Sequence, residues 1–422
     1  FGADPTFGGI TVDGTSADAS DENGNGKFYD TPPSGFLALC SANLPTLTIS
    51  PAQATQATNY FNATIYTGDG QDNREITQGS DGRSIGFSPD LVWIKNRSNA
   101  GNDWLPFDSN RGGDLQLIFS SGGYYAEFAS TTKLSAFITG GFQLGANPHS
   151  TVNSNSQTYV AQNWFAGTTP TATNSAGAGA TPTAGSVKID GVNKSDALAG
   201  TIPATKINAN TTAGFSIVLY TGTGSAGTVA HGLNSAPDVV IIKNRTDARN
   251  WVFGNSYNGF QGQLYIGSTG AFSTNSGSFN NTAPSSTVVT VNTDQTTNES
   301  GDSMLMYCFH NVAGYCHIGG YTGNGSTDGP VVYTGFRPAF LLIKRTDAVN
   351  HWVVFDNARS PSNVVNDILF LDLADAEIDY DRVDFLSMGF KLKDTGSGVN
   401  NSGGSFVYMA FAQQPFKFSN AL

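Results

Sequence analysis

The sequence predicts an all-β protein: three similar antiparallel β-sandwich modules (jelly-roll or lectin-like) in tandem, after a partial N-terminal β segment. Three observations lead there. A strand–turn–strand pattern occurs three times, at residues 88–107 (SPDLVWIKNRSNAGNDWLPF), 236–253 (APDVVIIKNRTDARNWVF) and 335–356 (GFRPAFLLIKRTDAVNHWVVFD). Each copy holds a proline, an apolar run closed by Ile-Lys, a polar turn, and a Trp heading a second apolar run. Short β-branched and aromatic runs bounded by Pro, Gly, Asn and Asp are what paired, buried strands look like. Glycine accounts for 50 of 422 residues and charged residues for only 13%, about half the usual charged share, as tight turns and polar, uncharged loops require. No segment sustains the i, i+3, i+4, i+7 spacing of an amphipathic helix over three turns.

Taken in order, residues 1–50 stand outside the repeat and read as the end of a β-sandwich-like domain with an acidic, Gly-rich loop. In that loop Asp21, Asn23 and Asn25 carry oxygens at alternate positions ahead of Gly26, as a calcium loop does at its positions 1, 3 and 5. Position 12 is Pro32 rather than a bidentate Glu, so calcium competes with an ordinary solvated turn. β module 1 spans 58–167. Its YTGDG turn at 66–70 returns as YTGTG at 220–224 and YTGNG at 321–325. The proline stands at the mouth of its strand, where a missing N–H costs no ladder bond. An Asp/Asn-rich loop leads to a strand such as 137–144 (FITGGFQL) or 385–392 (FLSMGFKL), and each module closes on an alternating strand at 158–164, 303–309 or 405–411.

Residues 168–211 form a Thr/Ala/Gly-rich linker, whose first part (TTPTATNSAGAGATPTAGS) has no apolar period. The rest carries Val187, Ile189, Val192, Leu198, Ile202 and Ile207, side chains that a free tether does not need. Burial against a neighbouring copy in a closed ring follows as the expectation, and with it a homotrimer. β module 2 covers 212–314 and β module 3 covers 315–415, with 416–422 a C-terminal tail. Only residues 310–320 join modules two and three, which predicts rigid stacking into a rod. The best helical candidate is 371–378 (LDLADAEI), two turns at most. In the second copy, Gly254 stands where the others carry Asp108 and Asp356.

Charge excludes some function classes. The net charge is −12 and there are no Lys/Arg runs, so the chain lacks the electrostatic footprint for nucleic acid or an anionic membrane. No apolar run approaches the roughly 18 residues of a membrane span. Three cysteines are too few for a disulfide scaffold. Phe1 in place of Met reads as a fragment or processed form.

No catalytic constellation emerges. None of His149, His231, His310, His317 and His351 lies in a nucleophile motif. Cys308, His310, Cys316 and His317 fall within ten residues but without zinc-like spacing. Glycosidase chemistry needs two carboxylates across a cleft; Asp108 with Asp114, or Asp356, Asp372 and Asp375, are the residues to consider, and their spacing fixes no pair. Trp104, Trp251 and Trp352 recur in all three copies and therefore read as structural core. Tyr124, Tyr125 and Tyr257, with Asn258, are peculiar to single copies and lie among Gly, Asn and Ser. A ring face flanked by short hydrogen-bonding side chains suits a polyhydroxylated ligand, and equally a packed turn.

The YTGxG turn, the PDxVxIKNR strand, the Trp-x-x-FD pair and the closing strand together resemble a repeated β-module of marine tailed-phage virion proteins, cyanophage proteins especially. In these the modules often follow a concanavalin-like or SPRY-like sandwich, whose last strand residues 28–45 resemble. The resemblance implies a non-enzymatic virion structural protein, a tail fibre or similar appendage, located in the extracellular particle after assembly in the host cytoplasm. Implied partners are other virion proteins, further copies of the chain and a host-surface glycan, with no nucleic acid and no membrane; no cofactor is implied beyond the possible calcium. The alternatives are a glycan-degrading tailspike and a capsid-decorating or connector protein. The resemblance brings no catalytic residues.

Overall fold

The computed structural model describes residues 19–26, 28, 31–34, 36–38, 49, 55–119, 125–147 and 149–412. They belong to two compact units, 1–47 and 48–422. In the first, Ala19 and Phe28 form an isolated antiparallel bridge; most of the expected N-terminal β segment, and the tail at 416–422, lie outside the described residues.

The second unit is all-β. Four strands recur three times, in the same order across the sheet. The opening strands are Phe61–Thr67, Phe215–Thr221 and Cys316–Thr322, and the closing strands Thr158–Trp164, Ser303–Phe309 and Ser405–Ala412. Next come the lysine strands, Leu91–Asn96, Val239–Asn244 and Pro338–Arg345, and the tryptophan strands, Leu105–Asp108, Trp251–Asn255 and Trp352–Asp356. Register makes the copies equivalent residue by residue: Lys95, Lys243 and Lys344 face Val160, Leu305 and Val407 of their closing strands.

The lysine strands are buried along nearly their whole length, and alternate residues serve different cores. In module one Val92 and Ile94 join Tyr66, Phe107 and Phe142 inside the sandwich, while Leu91 and Trp93 face a core that all three modules share. Val240 and Ile242 divide from Val239 and Ile241 in the same way. Burial on both faces is why these strands read as continuous apolar runs rather than alternating ones. At the centre of the shared core the equivalent residues Trp164, Phe309 and Phe411 meet. Their ring centroids lie 6.5, 5.6 and 5.8 Å apart, pair by pair. The modules therefore close around a pseudo-threefold axis. They do not stack as a rod, because one face of every sheet is apolar and three such faces bury one another only in a ring.

The 168–211 linker is corrected as well. Val187–Ile189 and Ala204–Asn210 are strands of module two, the latter pairing antiparallel with the opening strand. Val187, Ile202 and Ile207 lie in module two's own core, so these side chains give no reason to invoke a second copy. Residues 371–378 are not helical: Asp372 and Glu377 are held by contacts described below, and the only α-helices among the described residues are the single turns Ser276–Phe279 and Gln295–Asn298. Register also moves a pairing by one residue. Asn255, not Gly254, is the counterpart of Asp108 and Asp356. Gly254 matches Phe107 and Phe355, and Phe279 and Phe260 occupy the space its side chain would need.

Candidate functional site

The most organised chemistry in the molecule lies at the three seams of the ring. Each repeated tryptophan is fully buried and reaches across one seam. Trp104 Nε1 donates to Phe370 O of module three at 3.0 Å, Trp251 Nε1 to Ile118 O of module one at 2.8 Å, and Trp352 Nε1 to Tyr265 O of module two at 3.1 Å. A buried indole N–H usually finds an acceptor; Trp93 and Trp164 in the shared core do without one, whereas at the seams each module supplies it for the next.

Beside two of these tryptophans runs a chain of alternating charges. Between modules one and two, Asp108 Oδ2 accepts from Arg111 Nε at 2.5 Å and from Tyr307 Oη at 2.8 Å. Arg111 Nη1 reaches Glu127 at 3.0 Å, and Glu127 pairs with Arg245 across the seam at 2.5 Å. Between modules three and one, Asp356 takes the Arg359 guanidinium at 2.6 Å and Gln162 Nε2 at 2.9 Å. Arg359 then reaches Glu377 at 3.0 Å, and Glu377 pairs with Arg97 at 2.6 Å. Asp108, Arg111, Asp356 and Arg359 have fully buried side chains. Burial works against the Arg111 charge, but Asp108, Tyr307 and Glu127 more than offset it and hold the guanidinium above its ordinary range. Glu127 is likewise opposed by burial and held below the usual carboxylate range by Arg245 and Arg111.

The third seam has the same backbone and none of that ion-pair chain; the charge that crosses it is Lys344 Nζ, which donates to Thr269 O of module two at 3.0 Å. Asn258 N donates to Asn255 Oδ1 at 2.9 Å, as Arg111 N does to Asp108 and Arg359 N to Asp356. Phe272 N donates to Thr346 O, as Glu127 N does to Arg245 O and Glu377 N to Arg97 O. Met409 holds the place of Tyr307 and Gln162. The five-residue set Asp, Arg, Glu, Arg and Tyr/Gln is therefore Asn255, Asn258, Phe272, Thr346 and Met409 here.

Two further devices repeat in all three modules. The YTGxG tyrosines donate to Val152, Thr297 and Val399 carbonyls. Their first glycines pass so close to the backbones of Ser154, Glu299 and Asn401 that a Cβ has no room. Asn153, Asn298 and Asn400 complete each turn, accepting from Asp69 N, Thr223 N and Asn324 N. The lysines cap the hairpin turns: Lys95 Nζ donates to Asn102 O at 2.5 Å, Lys344 Nζ to Asn350 O at 2.7 Å, and Lys243 Nζ to Arg249 O. Burial depresses all three ammonium groups, to about 8 for Lys95 and Lys344 and about 7 for Lys243. Nearby Asp103 and Asp375 oppose the shift at Lys95, and Asp372 opposes it at Lys344.

The residues singled out from sequence scatter over the molecule. Tyr124 lies outside the described residues. Tyr125 is 51% exposed. Tyr257 is 44% exposed, yet its ring lies against Gly320 of module three. Asn258 is half-buried and belongs to the neutral seam. Asp21 is buried; its Oδ1 accepts from Asn23 N and Asn25 N, and its Oδ2 from Ala38 N. The carboxylate thus already orders the loop that a calcium ion would use, and among the described residues no group of three or more His, Cys, Asp or Glu converges.

Cys308 and Cys316 are free and buried, their thiols pushed up by burial. His310 and His317 bond elsewhere, to Asn311 O and to Tyr408 Oη. Of the carboxylates considered for catalysis, Asp108 and Asp356 are spent on seams, while Asp114 and Asp375 are exposed loop residues. Asp372 accepts Trp352 N at 2.9 Å and His351 Nδ1 at 2.7 Å. His351 borders a cleft of about 180 Å³ shared with Arg382 and Ser397, while Asp372 lies buried behind it.

No curated protein matches the chain. Residues 56–415 match the family described as Domain of unknown function (DUF7483), which takes in all three modules and the segment between the first two, and the chain belongs to that family.

Proposed function

We propose that the chain is a non-enzymatic structural protein of a virion, a tail-fibre or similar appendage component whose exposed loops meet the host surface. The closed ring carries this reading. Three modules share one aromatic core, every seam is cross-linked by a tryptophan, and two are further locked by the Glu127–Arg245 and Glu377–Arg97 ion pairs that cross them. Such a body is rigid before it meets anything, as a load-bearing part must be. The carboxylates best placed by sequence for hydrolysis hold seams and turns instead. The resemblance of the repeated residues to phage virion modules supplies the setting.

Electron cryo-microscopy of intact virions with antibody fragments against this chain tests the proposal. Density on the tail or its fibres supports it. Density on the capsid moves the protein to decoration, density at the neck to a connector role, and absence from particles overturns the reading. The glycan-degrading alternative would show instead as host-polysaccharide cleavage by the purified chain.

A further inference from the structure

The segment 168–211 does more than join modules one and two: it builds one wall of a cleft against the end of module one. The cleft holds about 260 Å³ and is lined by Tyr60, Phe165, Thr168, Asp190, Asn210 and Thr212, with Gly167 and Gly191. Tyr60 and Phe165 form one wall, their ring centroids 6.2 Å apart, and both are half-buried. Register places Gly214 and Tyr315 where Tyr60 stands, and His310 and Ala412 where Phe165 stands, because Phe165 N, His310 N and Ala412 N each donate to that partner's carbonyl. Only the first junction therefore offers two half-exposed aromatic rings side by side.

The opposite wall is polar and fixed. Asp190 and Gly191 are the two central residues of a hairpin turn, both with positive φ, 52° and 79°, the Asp-Gly pairing that a type I′ turn requires. The Asp190 carboxylate is held by Thr211, whose N and Oγ1 lie 2.8 and 2.7 Å away. Acceptor lone pairs remain on both oxygens. Asn210 is 7% exposed. Its Oδ1 accepts from Ala213 N at 2.8 Å, which fixes the amide orientation, and its Nδ2 donates to no acceptor among the described residues. That amide nitrogen opens onto the cleft, where a ligand oxygen can accept from it in place of water.

We infer that this cleft binds a single neutral pyranose ring, as the free sugar or as one unit of a host-surface polysaccharide. An aromatic wall takes the C–H face of a sugar. A fixed carboxylate accepts from its hydroxyls, and the Asn210 amide donates to one of them. The volume lies just below the roughly 300–1,000 Å³ of drug-sized sites, room for one ring and not for a chain. Asp190 disfavours phosphates and acidic sugars. The inference draws on the host-facing reading only for the source of the sugar, since binding to the isolated chain stands or falls whatever the virion shows.

Saturation-transfer NMR of the full chain with glucose, galactose, mannose and N-acetylglucosamine, each at millimolar concentration, tests it. At least one sugar should receive saturation on its ring protons. Thr168→Trp, a bulky change at an exposed rim position, should abolish the transfer. Tyr60→Phe, which keeps the ring, should weaken binding without removing it. Transfer to none of the four overturns the inference. So does transfer that both variants leave unchanged, which would place any sugar elsewhere, at Tyr125 for instance. Loss on Thr168→Trp counts only if the melting temperature is retained; should it fall, the Tyr60→Phe titration decides alone, and an unchanged affinity there overturns the site.

Discussion

Two seams of the ring are built on charge and one is neutral, although all three share one backbone. Between modules one and two, and between three and one, an Asp–Arg–Glu–Arg chain crosses from core to rim. Between modules two and three, Asn255, Asn258, Phe272, Thr346 and Met409 occupy all five corresponding positions. No mixed seam exists, and a physical reason is at hand. Replacing a whole buried ionic cluster with neutral side chains is often harmless, whereas removing one member leaves an uncompensated charge. The five positions form one unit that must change together. The neutral seam is not perfect, since Asn255 Nδ2 and Asn258 Oδ1 are buried without partners. It nonetheless shows that this fold closes a seam without those ion pairs, with only the Lys344 ammonium reaching across to Thr269 O.

The sharpest break in that comparison is Arg111→Met, which strips Asp108 and Glu127 of their shared partner. It should cost about 3–5 kcal/mol, read as a drop in the urea midpoint. Transplanting the whole neutral set (Asp108→Asn, Arg111→Asn, Glu127→Phe, Arg245→Thr, Tyr307→Met) should cost less than that single change, despite touching five residues. If instead the quintuple variant loses roughly the sum of its five singles, the positions act independently and the unit does not exist.

The tryptophans are the element that all seams share. Trp352→Ala should also cost about 3–5 kcal/mol through the cavity it leaves, along with the lost indole bond. Because Trp104 and Trp251 make the same bond to the preceding module, their alanine variants should fall in the same range. A spread well beyond 2 kcal/mol would mean that the neutral seam leans on its tryptophan differently from the charged ones.

The repeat, the lysine and tryptophan strands and the all-β class were legible because buried strands impose short-range patterns: proline at the mouth, apolar runs, Ile-Lys at the end. What was illegible is where those strands' second faces go. A continuous apolar run says that both faces are covered. It does not say whether the cover is a second sheet, another module or another chain, and so a ring read as a rod. The charge relay left a partial trace. Asp followed three residues later by Arg appears in copies one and three as Asp108–Arg111 and Asp356–Arg359, and Asn255–Asn258 breaks it in copy two. Glu127 and Glu377 sit in loops of different length, so their equivalence needs the backbone bonds to Arg245 and Arg97. The cleft at Tyr60 was harder still, since its lining is spread over about 150 residues and no local motif joins Asp190 to Phe165; the Asp-Gly pair was its one visible sign.

The lysines sharpen the comparison through pH. Each has a folded-state value below the ordinary 10.5, to about 8 for Lys95 and Lys344 and about 7 for Lys243. The unfolded chain then binds more protons than the folded one throughout the interval, so stability rises with pH from about 7 upward, by at most about 1.4 kcal/mol per pH unit for each lysine. Module two, without an acid near its lysine, opens the window first. Urea midpoints at pH 7, 8 and 9 should climb, and Lys243→Met should flatten the step between 7 and 8 most. The series stops short of about pH 10, where tyrosines of the unfolded chain ionise while buried ones such as Tyr220 resist, a contribution of opposite sign. A flat profile from 7 to 9 would mean that the three ammonium groups stay charged in the fold, held by their turn carbonyls.

The smallest expected difference concerns two tyrosines that sequence alone treats alike. Tyr257 lies at the neutral seam with its ring against Gly320 of module three; where the other seams have charge, this one gains an aromatic contact. Tyr125 stands 51% exposed beside Glu127, on a charged seam that its ring does not have to hold. Tyr257→Ala should therefore cost about 1 kcal/mol from lost ring burial, whereas Tyr125→Ala should stay within about 0.5 kcal/mol, as surface changes do. Thermal melts of the two variants side by side resolve that gap. Equal and negligible losses would free Tyr257 from the seam and return it, with Tyr125, to the pool of ring faces open to a sugar. Equal and larger losses would instead show that Tyr125 supports the loop carrying Glu127, and so contributes to the charged seam after all.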